Sequence, residues 1–99
     1  MLVLDEPCAG MDPGVRERFL DWLNERVTHP NSPTVVFVTH HIEEIVVGIQ
    51  NTLILNSGRE YIAGPTSEVI TRLAIESVYG TRLSRIEQSG GRLWPIWGD

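Results

Sequence analysis

The chain has 99 residues and a formal net charge of −5, and its eight basic residues are all arginine. With no lysine, the phosphate loop G-x-x-x-x-G-K-S/T and lysine Schiff-base chemistry are both excluded. The acidic balance argues against a general nucleic-acid binder, and the single cysteine, Cys8, rules out an internal disulfide and suits a reducing compartment.

An apolar fraction of 41% is ordinary for a folded globular chain, and this length fits one small domain. No apolar run approaches the roughly 20 residues that span a bilayer, and no basic segment precedes a long apolar stretch at the N-terminus. The expected address is therefore the cytoplasm, with no direct membrane insertion.

Met1-Leu2-Val3-Leu4 opens the chain as a short unbroken apolar run, the pattern of a parallel strand buried on both faces. Residues 7–12 then form a loop containing Gly10. Asp12-Pro13 is a helix start, with Asp as N-cap and Pro at the first helical position. Val15, Phe19, Trp22, Leu23 and Val27 follow at helical spacing and predict one apolar stripe. His29-Pro30-Asn31-Ser32-Pro33 ends that helix.

Residues 34–39, rich in β-branched side chains, predict a second buried strand, so residues 2–39 read as a right-handed βαβ unit with parallel strands. His40-His41 closes that strand, and a short helix is expected through Ile42, Glu43, Glu44, Ile45 and Val46. Residues 52–55 and 59–63 flank Asn56-Ser57-Gly58, a hairpin signature that Gly64-Pro65 breaks. Residues 66–79 read helical, with Ile70, Leu73, Ala74 and Val78 on one side, a possible break near Thr71 or Arg72, and Gly80 as C-cap. Residues 82–88 and 92–97 flank Ser89-Gly90-Gly91 as a second hairpin, in which Trp94 and Trp97 read as packing residues rather than a base-stacking platform.

Parallel strands bring their C-terminal ends to one edge of the sheet, the edge where open α/β folds bind ligands. That topology places Asp5, Glu6 and His40 on one rim. The plainer interpretation is that the carboxylates only stop the strand and His40 is solvated. Four apolar residues followed by Asp-Glu suit magnesium chemistry, because Asp can hold Mg²⁺ through its water shell and the next carboxylate can orient or deprotonate a water. A rival is a small metal-dependent hydrolase in which His40, His41 and Glu44 are ligands and Asp5 or Glu6 completes the site.

The longer run Met1-Leu2-Val3-Leu4-Asp5-Glu6-Pro7-Cys8-Ala9-Gly10-Met11-Asp12-Pro13 resembles the Walker B and D-loop segment of ATP-binding cassette (ABC) transporter ATPases. Val36-Phe37-Val38-Thr39-His40-His41-Ile42-Glu43-Glu44 resembles their H-loop. The hairpin Leu53-Ile54-Leu55-Asn56-Ser57-Gly58-Arg59, with Gly64-Pro65-Thr66-Ser67-Glu68-Val69-Ile70 after it, resembles the segment closing that domain's core. The resemblance covers residues 1–70 well and the rest loosely.

The resemblance implies an α/β fold: the C-terminal part of a P-loop NTPase domain, with parallel core strands, flanking helices and two C-terminal β-hairpins. It divides the chain into residues 1–80, the C-terminal half of an ABC-type ATPase domain, and residues 81–99, a hairpin extension. It makes Asp5 the Mg²⁺-ordering carboxylate and Glu6 and His40 the catalytic residues, Glu6 orienting the attacking water and His40 contacting the γ-phosphate. Asp12 matches the D-loop Asp that helps couple two nucleotide-binding domains, although an Asp-Pro helix start explains it equally well without function. The implied cofactors are ATP and Mg²⁺, in the complete domain only. The implied partners are a second ATPase domain and a membrane permease, which would hold the protein at the inner face of the membrane.

Three positions depart from the family pattern: Cys8 stands where Thr or Ser is usual, Met11 for Leu, and His41 for Asp. Cys8 reads as a small packing residue. The family's Walker A loop, adenine-stacking aromatic, Gln loop and Ser-Gly-Gly signature precede Walker B and are not in this sequence. Ser89-Gly90-Gly91 lies after His40 and is not that signature. Without the Walker A lysine and its backbone N–H groups, the chain alone is expected neither to bind ATP tightly nor to hydrolyse it. Met1 fills a strand position, which leaves open a mis-started reading frame, a split domain or a decayed copy. A non-catalytic fragment that docks on an ABC ATPase or permease is the remaining alternative.

Overall fold

The computed structural model describes residues 1–56 and 59–98. In chain order the elements are β1 (Leu2–Asp5), α1 (Pro13–Thr28), β2 (Val35–Val38), a 3₁₀ turn (Ile42–Glu44), β3 (Asn51–Asn56), β4 (Arg59–Pro65), α2 (Thr66–Val69), α3 (Arg72–Tyr79), β5 (Leu83–Ser89) and β6 (Arg92–Trp97). The strands form three pairs: β1–β2 parallel, β3–β4 antiparallel and β5–β6 antiparallel. The turn residues Ser57 and Gly58 of the first hairpin lie outside the described residues.

In the parallel pair Leu2 faces Val35, Leu4 faces Phe37 and Asp5 faces Val38. Side chains alternate across a strand, so one face carries Leu4, Val35 and Phe37 and the other Val3, Val36 and Val38. The first face packs against Leu20, Leu23 and Val27 of α1, with Cys8 and Val46 completing the cluster. Val3, Val36 and Val38 stay 41–54% exposed. Burial on both faces is therefore not observed: one helix covers one face, and nothing among the described residues covers the other.

Helix α1 begins as its sequence dictates. The Asp12 carboxylate accepts from the Val15 N–H at 2.9 Å, and Pro13 occupies the first turn, where no N–H is needed. It ends at His29, whose extended backbone is the one favoured before Pro30. Leu20 and Leu23 are its fully buried residues, whereas Val15 and Trp22 are largely exposed. The buried stripe is thus rotated toward Leu20 from the expected one.

The expected short helix after His41 is only a single 3₁₀ turn. Ile42 joins the second apolar cluster and Val46 the first. Residues four apart on a helix would share a face, so serving two clusters requires the chain to extend beyond Glu44. Gly48 then passes close to the end of α1, where an added Cβ would lie 2.5 Å from a Val27 methyl, and its N–H donates to Asn24 Oδ1 at 2.8 Å. A side chain here would force α1 and this segment apart.

Strand β4 runs through Gly64-Pro65, which was expected to break it; Pro65 sits at the strand's end, where its missing N–H costs little. The expected helix over 66–79 is two helices separated at Ile70–Thr71. The Thr71 hydroxyl caps α3 by accepting from Ala74 N–H at 3.2 Å, which restarts the helix in a new phase. Ala74 and Ile75 are consequently buried, and Leu73 is 78% exposed instead of joining the stripe. Gly80 ends α3 in the left-handed conformation at φ 65°. Val69, Ile70, Ile75 and Leu83 form the second cluster with Ile42.

Candidate functional site

The C-terminal ends of β1 and β2 lie side by side because the pair is parallel and in register. Glu6 follows β1 directly, and its backbone N–H donates to Val38 O at 2.9 Å, extending the ladder by one bond. Its φ of +49° is the sole positive value on a described non-glycine residue. That left-handed turn is uncommon for glutamate and swings the chain off the sheet edge. The Ala9 N–H donates back to Glu6 O at 3.2 Å, closing the turn.

His40 follows β2 on the same edge, and its Nδ1 meets a Glu6 carboxylate oxygen across 34 positions of sequence. The imidazole is otherwise open, with its side chain 81% exposed. Asp5 is exposed at the end of β1, beside Glu6 in the chain. The rim therefore holds Asp5, Glu6 and His40 together, as topology predicts. Asp12 stands apart from them at the start of α1, with its carboxylate engaged in the cap.

The three ligands of the metal-hydrolase alternative diverge. His40 meets Glu6; His41 Nδ1 lies 3.4 Å from Glu43; Glu44 is buried and accepts from the Thr39 hydroxyl at 2.6 Å. Among the described residues, no group of three or more His, Cys, Asp or Glu is arranged to hold a metal ion.

Residues outside the motifs hold the His40 segment in place. The Tyr79 hydroxyl donates to His40 O at 2.5 Å. Burial first, and then the Glu43 and Glu6 carboxylates, push the Tyr79 phenol above its usual range, so it remains an O–H donor at neutral pH. Arg92, 9% exposed, donates from Nε to Glu43 O at 2.7 Å and binds Glu17 of α1 through both terminal nitrogens, at 2.6 and 3.0 Å. Those bonds hold the Glu17 carboxyl below its usual range. Trp94 stacks under the Arg92 guanidinium at 4.6 Å, and Trp97 meets the Tyr79 ring edge-on at 5.4 Å, so both tryptophans serve packing.

Sequence reasoning missed Tyr79, Arg92 and Glu17. No motif marks them, and Arg92 and Glu17 are 75 positions apart. The only trace is an arginine directly after a Gly-Gly turn. Cys8 is buried, and desolvation, followed by the nearby Glu44 carboxylate, raises its thiol pKa, which fits packing rather than nucleophilic chemistry. No described helix is long and apolar enough to cross a membrane.

No family model matches the chain. It is 33% identical over 81 residues to the uncharacterized ABC transporter ATP-binding protein YlmA of Bacillus subtilis, covering 82% of this chain and 31% of that protein. It is 38% identical over 69 residues to the energy-coupling factor transporter ATP-binding protein EcfA2 of Acetivibrio thermocellus, covering 70% of this chain and 24% of that protein. The chain thus spans about a quarter to a third of the length of these relatives. A solved ABC transporter in an inward-facing conformation superposes with a TM-score of 0.74 over 97% of this chain and 38% of its own, at 23% identity, a likeness of fold. The chain is a homologue of the ATP-binding proteins of ABC transporters and corresponds to the C-terminal part of their nucleotide-binding domain.

Proposed function

We propose that this chain carries the magnesium, water and γ-phosphate part of an ABC-type ATPase site, which in a complete domain couples Mg²⁺-dependent ATP hydrolysis to transport. The observation that carries this reading is the Glu6–His40 contact across the parallel pair, with Asp5 next to it on the same edge. Residues 1–80 would form the domain part and residues 81–99 the hairpin extension.

Asp5 is the residue to hold hydrated Mg²⁺, which when bound neutralises charge on the transferring phosphoryl group. Glu6 would orient the attacking water and accept its proton. His40, paired with Glu6 and otherwise open to solvent, would contact the γ-phosphate. Asp12 caps α1, and its loop is the surface that would meet a second ATPase domain. The implied setting is cytoplasmic, at the inner membrane face through a permease.

The groups needed to cradle the β- and γ-phosphates are not among these 99 residues, which contain no lysine. Phosphoryl transfer depends on positioning and electrostatics, so the chain by itself should be inactive. The decisive test is a chimera in which residues 1–99 replace the matching C-terminal part of a full-length relative. It should hydrolyse ATP with Mg²⁺, and Glu6→Gln should lower turnover on the order of 10²–10⁴-fold. A folded chimera without turnover, or turnover by the isolated 99-residue chain that Glu6→Gln abolishes, would contradict this reading.

A further inference from the structure

The His40 ring is mostly open to solvent, and its side chain meets only the Glu6 carboxylate among the contacts described above. Its position therefore depends on the backbone beneath it. From the strand side, that backbone is held by the Thr39 hydroxyl, which donates to Glu44 Oε1 and accepts from the His41 N–H at 3.0 Å. On the other side, two residues from the C-terminal elements grip main-chain carbonyls of the same segment, Tyr79 at His40 and Arg92 at Glu43.

These two grips are built rather than incidental. Tyr79 comes from the last turn of α3, immediately before the Gly80 cap, and its ring is fixed edge-on by Trp97 of β6. Arg92 is nearly buried, its planar guanidinium lies over Trp94, and its other two nitrogens hold Glu17 bidentately. One side chain thus ties the segment after His40 to the helix that follows the Asp12 loop. Tyr79, Trp94, Pro95 and Trp97 line the hollow around His40 and His41.

We propose that Tyr79 and Arg92 are positioning residues, through which the β5–β6 hairpin and α3 set where the His40 ring stands relative to Glu6. Helix α3 and the β5–β6 hairpin are then a brace for His40 rather than a dispensable extension. This rests on the Glu6–His40 pairing of the proposed function, but it needs neither nucleotide nor turnover to be tested.

The test is NMR on the ¹⁵N-labelled 99-residue chain, following the His40 imidazole and the amides of residues 41–45. Tyr79→Phe removes one oxygen and leaves the Trp97 contact. It should move the His40 ring resonances while the methyls of Leu20, Leu23 and Ile75 stay in place. Amide exchange at Glu44 and Ile45, whose N–H groups close the 3₁₀ turn, should accelerate about three- to tenfold, the loss of one hydrogen bond. Arg92→Lys, which keeps the charge but not the fork, should act in the same direction.

Unchanged His40 resonances and exchange in a folded Tyr79→Phe chain would overturn the proposal, as would a wild-type chain without dispersed signals for residues 39–45. If Arg92→Lys fails to fold, Tyr79→Phe decides. Glu6→Gln separates the two levels of argument. Movement of the His40 ring in Glu6→Gln but not in Tyr79→Phe leaves the pairing intact and removes the brace. Movement in Tyr79→Phe but not in Glu6→Gln supports the brace and removes the pairing on which the functional reading stands.

Discussion

The β1–α1–β2 unit and the elements after residue 50 come from one chain of unremarkable hydrophobicity, yet they cover it differently. Each buries a small cluster, Leu20 and Leu23 at 1% in the first and Val69, Ile75 and Leu83 at 2% or less in the second, but in the first a whole sheet face, Val3, Val36 and Val38, stays 41–54% exposed. The difference lies in the number of layers. A parallel pair has two faces and two edges to cover, and α1 covers one face. The antiparallel hairpins and short helices enclose a cluster from several sides, because each hairpin can turn back within a few residues. The candidate site residues sit on the unit with the open sheet face, and the proposed brace comes from the other. A site whose support comes from a separate cluster is only as ordered as the bonds joining the two.

That contrast can be broken at several points, starting with the largest expected effect. Ile75→Ala or Leu83→Ala should cost roughly 2–5 kcal/mol in urea unfolding, since each empties a fully buried position. Loss of the His40 resonances in the same variants would show that the second cluster supports the site. Arg92→Leu should cost about 2 kcal/mol, because it leaves Glu43 O without its donor and Glu17 with only the longer Arg16 contact at 3.6 Å. Asp12→Ala should cost about 1 kcal/mol by removing the α1 cap, read as lost helical circular dichroism.

A smaller effect is expected from acid. The Glu17 carboxyl is held low by Arg92, so its contribution is complete above the unfolded value of 4.5 and is lost as pH falls through the lower folded value. Wild type should therefore lose urea stability between pH 5 and lower pH more steeply than Glu17→Gln. Glu17 is partly open to water, which keeps the difference small. Smallest of all, Val3→Thr should change stability by less than about 0.5 kcal/mol. A cost as large as that of Ile75→Ala would mean that the bare face is covered in solution, and sedimentation would then show association.

Much of the first unit was legible because its signals are local. Asp12-Pro13 specifies a helix start through hydrogen bonds three residues long, and Gly80 specifies a helix end through its backbone freedom. Parallel pairing of an aliphatic run with a β-branched run puts Asp5, Glu6 and His40 on one edge. The misreadings share a different cause. The break near Thr71 is legible in the sequence, but its consequence is not: the Thr71 cap restarts the helix in a phase that leaves Leu73 exposed rather than beside Ala74. Ile42–Val46 looked helical, and two separate clusters drew its ends apart. Val3, Val36 and Val38 looked doubly buried, because strand composition reports what a residue prefers and not how many layers are present.

By itself, then, the sequence determined the inventory of the candidate site: two adjacent carboxylates and an imidazole at the ends of parallel strands, in a chain with no lysine. These depend on residue identity, register and short-range geometry, all of which are written along the chain. Only the tertiary structure decided what holds that inventory in place. The Arg92 fork on Glu17 and Glu43, and the Tyr79 hydroxyl on the His40 carbonyl, join positions 39 to 75 apart. Such pairings depend on how separate elements meet in space, and no periodicity or motif along the sequence records that meeting.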